Sequence, residues 1–98
     1  MAVWTKNEAA QLVLNMAIQH RYFAKVGQTL GLDQQSINGL IEVAAKNEAE
    51  ALRILGLPDD FEGVGALKPP IVHEEQLERL RKGDPQIIPE WPIYPEDL

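Results

Sequence analysis

Apolar residues at Ala9, Leu12, Val13, Met16 and Ala17, with Leu14 and Ile18 beside them, recur three and four positions apart and predict a helix with a wide buried stripe. Thr5-Lys6-Asn7-Glu8 has the spacing of a capping box, so this helix is expected to begin near Lys6. At Leu30-Gly31-Leu32-Asp33 it meets a second helix. Gly31 suits the left-handed conformation that closes the first, and Asp33 suits acceptance of the free N–H groups that open the next. From Gln34 the pattern puts Ile37, Leu40, Ile41, Ala44 and Ala45 on one face. Asn47-Glu48-Ala49-Glu50 offers a further cap and box, which predicts a short break near Lys46 and another helix to Leu55. Leu55-Gly56-Leu57-Pro58 repeats the Leu-Gly-Leu stop and reads as a recurring cap device, made firmer by Pro58.

After this helical body (1–58) the pattern changes. Positions 59–71 combine acids, Gly63, Gly65 and the pair Pro69-Pro70, which predicts a loop that leaves the core. A short helix is expected over 72–83, with Glu74 and Glu75 in its first turn, Arg79, Arg81 and Lys82 in its last, and Gly83 ending it. Its apolar content is only Val72, Leu77 and Leu80, so it must dock on something to be stable. Residues 84–98 cannot be helix or central strand, because Pro85, Pro89, Pro92 and Pro95 interrupt them. Pro89, Pro92 and Pro95 recur every three residues, the period of polyproline II, which puts Ile88, Trp91 and Tyr94 on one edge and Ile87, Glu90 and Ile93 on another.

The stretch Phe23–Glu42 resembles a helix-turn-helix. That family places a small residue in the first helix, a Gly in the turn four residues later and buried aliphatics on both sides, and Gly27, Gly31, Val26, Leu30, Leu32, Ile37 and Leu40 fill those positions. Gln34-Gln35-Ser36-Ile37 looks like the start of phage-repressor recognition helices, and the helical N-terminal domain of cyanase-type enzymes, which binds no DNA, is similar. The resemblance implies close crossing of another helix at Gly27. It departs from the repressor pattern in having nothing between Gln19 and Lys25 to end the first helix, so a simple hairpin of two long helices fits as well.

Composition narrows the function classes. The 98 residues suit one small domain and a tail, and the absence of Cys excludes disulfides, thiolate nucleophiles and thiolate metal sites. No apolar run approaches the roughly 20 residues that span a bilayer, and no signal-peptide layout opens the chain, so the expected location is cytoplasmic. The net charge of -6 is unevenly placed. Residues 1–58 balance five acids against the five bases Lys6, Arg21, Lys25, Lys46 and Arg53, and residues 59–98 carry ten acids and four bases.

Catalytic chemistry has little to work with. Ser36 is the only serine and lies at a helix start without a nearby His in sequence; His20 and His73 are isolated, and no second His lies one turn from His73-Glu74-Glu75. Gly63-Val64-Gly65 lacks the preceding strand and third glycine of a nucleotide loop. No enzyme activity, cofactor or metal is expected. In a DNA major groove Gln34, Gln35 and Asn38 would pair with adenine, Ser36 would meet phosphate, and Lys46 would supply the nearest base. Affinity for DNA comes largely from Lys and Arg, however, and the chain is acidic.

The expectation is therefore an all-α protein: a small helix-turn-helix-like helical bundle with an extended proline-rich C-terminal arm. Its expected work is binding another protein, or a sister subunit, that offers a basic and apolar groove, as an adaptor, inhibitor or assembly component. Ile88, Trp91, Ile93 and Tyr94 would be the apolar anchors, and Glu90, Glu96 and Asp97 would meet the basic rim. Folding of the arm onto its own body is the alternative to docking in trans. A sequence-specific DNA-binding regulator is the alternative function. The layout of compact body and arm is similar to that of small phage proteins, which implies a viral origin.

Overall fold

The computed structural model describes residues 3–58, 61–62 and 68–84. It is all-α, with three helices among the described residues: α1 (Lys6–Leu30), α2 (Gln34–Leu55) and α3 (Glu74–Arg81). Val3–Trp4 (β1) and Phe61–Glu62 (β2) form a two-residue antiparallel pairing, Val3 opposite Glu62 and Trp4 opposite Phe61. The segment expected to be a loop leaving the core thus returns at Phe61–Glu62 to the start of α1.

The capping chemistry explains where the helices begin and end. The Thr5 hydroxyl accepts from the Glu8 N–H at 3.1 Å, and the Thr5 N–H donates to the Glu8 carboxylate at 2.8 Å, completing the expected box. Asp33 accepts from the backbone N–H of Ser36 at 3.1 Å and from its hydroxyl at 2.8 Å. Gly31 has φ 84°; its N–H donates to the Gln28 carbonyl and that of Leu32 to the Gly27 carbonyl at 2.7 Å, which is a Schellman closure.

Three expectations are corrected here. First, α2 runs unbroken through Lys46: the seam formed by Ile37, Ala44 and Ala51 stays in phase across that point, and Glu48 is engaged by Arg21 instead of capping a new helix. Second, the two Leu-Gly-Leu stops differ, since Gly56 closes α2 with φ -85° in right-handed geometry. Third, the space at Gly27 serves no crossing helix. A Cβ there would lie 2.8 Å from the Leu32 Cδ2, so the missing side chain makes room for the residue that closes its own helix.

Helix α1 is likewise continuous across Gln19–Lys25, so the element entering the Gly31 turn is 25 residues long and packs antiparallel against α2 as a hairpin. Ala10, Ala17 and Ala24 on α1, with Ile37, Ala44 and Ala51 on α2, repeat every seven residues and are at most 5% exposed. Small side chains at this spacing let the two helices approach closely. The burial of α1 centres on Ala10, Leu14, Ala17 and Ile18, which leaves Leu12 and Met16 outside the stripe expected to hide them. Leu30 and Leu32, expected as buried aliphatics, are 79% and 45% exposed at the hairpin tip.

Helix α3 docks on both long helices through Leu77 and Leu80, and Trp4 joins the same core from the N-terminal side. Burial of each such side chain contributes about 2 kcal/mol. Gly83, φ 78°, closes α3: its N–H donates to the Leu80 carbonyl and that of Asp84 to the Arg79 carbonyl. No helix among the described residues is long and apolar enough to cross a membrane.

Candidate protein-interaction surface

Gln11 fixes α3 in place. Fully buried on α1, it donates from Nε2 to Asn15 at 2.7 Å and to Gln76 at 2.9 Å, and its Oε1 accepts the backbone N–H of His73 at 3.1 Å. His73 is the residue before α3 and contributes no side-chain cap, so an amide from another helix satisfies the N–H of the residue at which α3 starts. Sequence reasoning passed over Gln11. The available signal was a polar residue in register with Leu14 and Ile18, where α1 otherwise buries apolar side chains.

A second cross-link ties the middle of the hairpin. The Arg21 guanidinium grips Glu48 with both ends, Nε at 2.9 Å and Nη2 at 2.6 Å, and the two side chains are 21% and 14% exposed. This bond holds the Arg21 pKa above its ordinary value, because hydrogen bonding to the carboxylate outweighs burial. On one side of this ion pair lies a cleft of about 330 Å³, lined by Ala45, Ala49, Leu52 and Leu80 and reaching Gly83 and Asp84. Arg21 is thereby removed from the set of bases available to a phosphate backbone.

The remaining bases of that set are mostly engaged too. Lys6 donates to the Leu57 carbonyl at 2.9 Å, Lys46 pairs with Glu42 at 3.5 Å, and Arg53 pairs with Glu50. The residues proposed for base reading are all exposed at the start of α2, where Gln34 donates to Asn38 at 2.8 Å. Ser36, the expected phosphate contact, is bonded to Asp33, whose carboxyl is held below its ordinary value chiefly by the Ser36 hydroxyl and then by the Ser36 backbone N–H. A phosphate at Ser36 would meet that carboxylate.

Among the described residues the two histidines stand apart from each other. His20 is half-buried with its Nδ1 2.7 Å from the Met16 carbonyl, His73 is exposed at the start of α3, and among the described residues no cluster of His, Asp and Glu could hold a metal. Glu74 accepts from Asn7 at 3.4 Å, and Glu78 lies 3.6 Å from Arg81. Gly63-Val64-Gly65 and the arm residues Ile88, Glu90, Trp91, Ile93, Tyr94, Glu96 and Asp97 lie outside the described residues.

What the body does present is apolar surface. Leu12, Met16, Leu30, Leu32, Ile41 and Val43 are 37% to 79% exposed. Compared with protein-family models, curated proteins and solved structures, the chain matches none.

Proposed function

We propose that this protein is a non-enzymatic protein-interaction module, an adaptor, inhibitor or assembly component, whose helical body carries an acidic, aromatic arm. The observation that carries this reading is the apolar surface of the hairpin: a protein of this size gains nothing in stability from leaving Met16, Ile41 and Val43 more than 40% exposed. Further support comes from the arm's composition, since Trp91, Ile93 and Tyr94 are anchor residue types and Glu90, Glu96 and Asp97 suit a basic rim. The root of the arm is also well defined. Asp84 follows the closure of α3 and lines the cleft beside Arg21 and Leu52.

Reading of DNA by Gln34, Gln35 and Asn38 is the second function class, and it is disfavoured by charge. The net charge is -6, and Asp33 and Glu42 stand beside the very residues that would approach the phosphates.

The test compares the full chain with a version ending at Asp84, which keeps the N–H groups of Gly83 and Asp84 on their α3 carbonyls. Each is immobilised, treated with nuclease and exposed to lysate at low and high salt. Proteins retained by the full chain alone, without nucleic acid, support the arm as a binding element. Capture that disappears with nuclease, regardless of the arm, would move DNA reading to first place.

A further inference from the structure

The cleft beside the Arg21–Glu48 pair lies at the root of the arm. Its apolar walls are Ala45, Ala49 and Leu52 of α2 and Leu80 of α3, and Gly83 and Asp84 form its rim. Leu80 is buried, whereas Ala45 and Ala49 are exposed and Leu52 is 42% exposed, so the α2 wall stays open among the described residues. Arg21 and Glu48 satisfy each other's charge through two hydrogen bonds, which leaves the cleft suited to an apolar occupant.

We infer that this cleft is the seat of the arm's own Ile87, which docks in cis and leaves the edge carrying Ile88, Trp91 and Tyr94 turned outward. The use of the outward edge rests on the protein-interaction reading above; the seat of Ile87 does not. Reach selects this occupant. Asp84 already lines the cleft, and Ile87 is the first apolar side chain after Pro85. Three residues extend at most about 10 Å, and the α2 wall from Leu52 to Ala45 is also about 10 Å long, so Ile87 cannot overshoot it. Tethering acts in the same direction. A short linker holds Ile87 at an effective concentration in the millimolar range, which a second copy or a foreign peptide would have to outcompete. The cost of ordering is low, because Pro85 and Pro89 bracket Gln86–Ile88 and each has a fixed φ. The size also fits. A cavity on the order of 150 Å³ already holds a benzene-sized group, so a cleft of about 330 Å³ takes the Ile87 side chain with the Pro85 ring beside it. The three-residue period then separates Ile87 from Ile88, Trp91 and Tyr94, so seating the one does not consume the others.

Methyl NMR of the full chain in dilute solution tests this. Nuclear Overhauser contacts are expected from the Ile87 methyls to those of Leu52 and Leu80, unchanged in relative strength on dilution. Leu52→Asp, at an exposed position, should abolish them, and Ile88→Ala should leave them in place. A second measurement uses the absence of Cys from the chain. Under mild oxidation, Ala49→Cys with Ile87→Cys should close an intramolecular disulfide at least about 10-fold faster than Met16→Cys with Ile87→Cys, since Met16 lies about 140° from Arg21 around α1. Absent contacts, equal rates for the two pairs, contacts from Ile88 in place of Ile87, or contacts that fade on dilution because the arm seats in another copy would each overturn the inference. Any of these in a chain that still captures another protein through its arm would overturn only this inference. The expected contacts in a chain that captures no protein would uphold the seat of Ile87 and remove the interaction module.

Discussion

Replacing Gln11 by Met keeps the length and most of the volume of the side chain while removing every hydrogen bond it makes. In the wild type those bonds join Gln11 to Asn15 one turn along α1 and, across to α3, to Gln76 and the His73 N–H, all from a side chain with no exposed surface. Asn15 and Gln76 are half-buried and can turn to water, so little of their loss persists. The His73 N–H is a backbone donor in a fixed position and loses the Gln11 acceptor outright. The bond to the His73 N–H is part-buried, and its loss together with what remains of the two amide bonds costs about 1–3 kcal/mol; burying the Met side chain returns part of it, so a net loss of about 2 kcal/mol is expected. For a chain of this size that lowers Tm by about 8–16 °C. Urea unfolding gives the total, and hydrogen exchange localises it. The loss of protection should fall on the His73 amide and on α3, with α1 and α2 opening only at the global rate. A loss below about 0.5 kcal/mol, or protection lost evenly over all three helices, would refute the role assigned to Gln11.

Three further outcomes test separate parts of the structure. Gly31→Ala should destabilise by about 1–2 kcal/mol, because φ of 84° penalises any side chain although space is open; Gly39→Ala, within α2 and also with open space, should stabilise by about 0.5–1 kcal/mol, both read from urea midpoints. A double-mutant cycle between Arg21→Met and Glu48→Gln should give a coupling of about 1–2 kcal/mol, larger than the ~0.5 kcal/mol of an exposed pair, because the bond is bidentate and mostly buried; a coupling near zero would mean that the hairpin does not need it. The Asp33 carboxyl titrates below its ordinary 3.8 in the folded state, so its contribution is present in full above that value and is lost as pH falls through the folded pKa. Asp33→Asn should therefore flatten the stability profile where pH falls below about 4, and an unchanged slope there would show that the cap bond is not formed in solution.

Local chemistry makes much of the fold legible in the chain itself. Thr5 with Glu8, Gly31, Asp33 and Gly83 each act through atoms within a few residues, so their spacing alone locates helix ends. The seam is harder to find. Ala10, Ala17 and Ala24 are weakly hydrophobic, so Leu12 and Met16 dominate the apparent stripe although the alanines are what α2 covers. The break expected near Lys46 fails for a similar reason, since Asn47-Glu48 has the letters of a cap and only the distant Arg21 decides what Glu48 does. Gln11 and Trp4 gain their roles from partners far along the chain, as with Gln76 and His73 for the former, and no local pattern encodes those pairings. For function, the residue pattern singles out the arm, whereas the exposure of Met16, Ile41 and Val43 becomes visible only in the folded hairpin.

The most direct test of the interaction module is to place a photo-crosslinking amino acid at Trp91, in the arm, and separately at Met16, on the exposed apolar surface of the hairpin, in cells that naturally make the protein. An adduct with a second protein from either position is the expected result. Crosslinks to nucleic acid alone, or no adduct from either position in protein that is folded and present at its normal level, would contradict the proposal that this chain works by binding proteins.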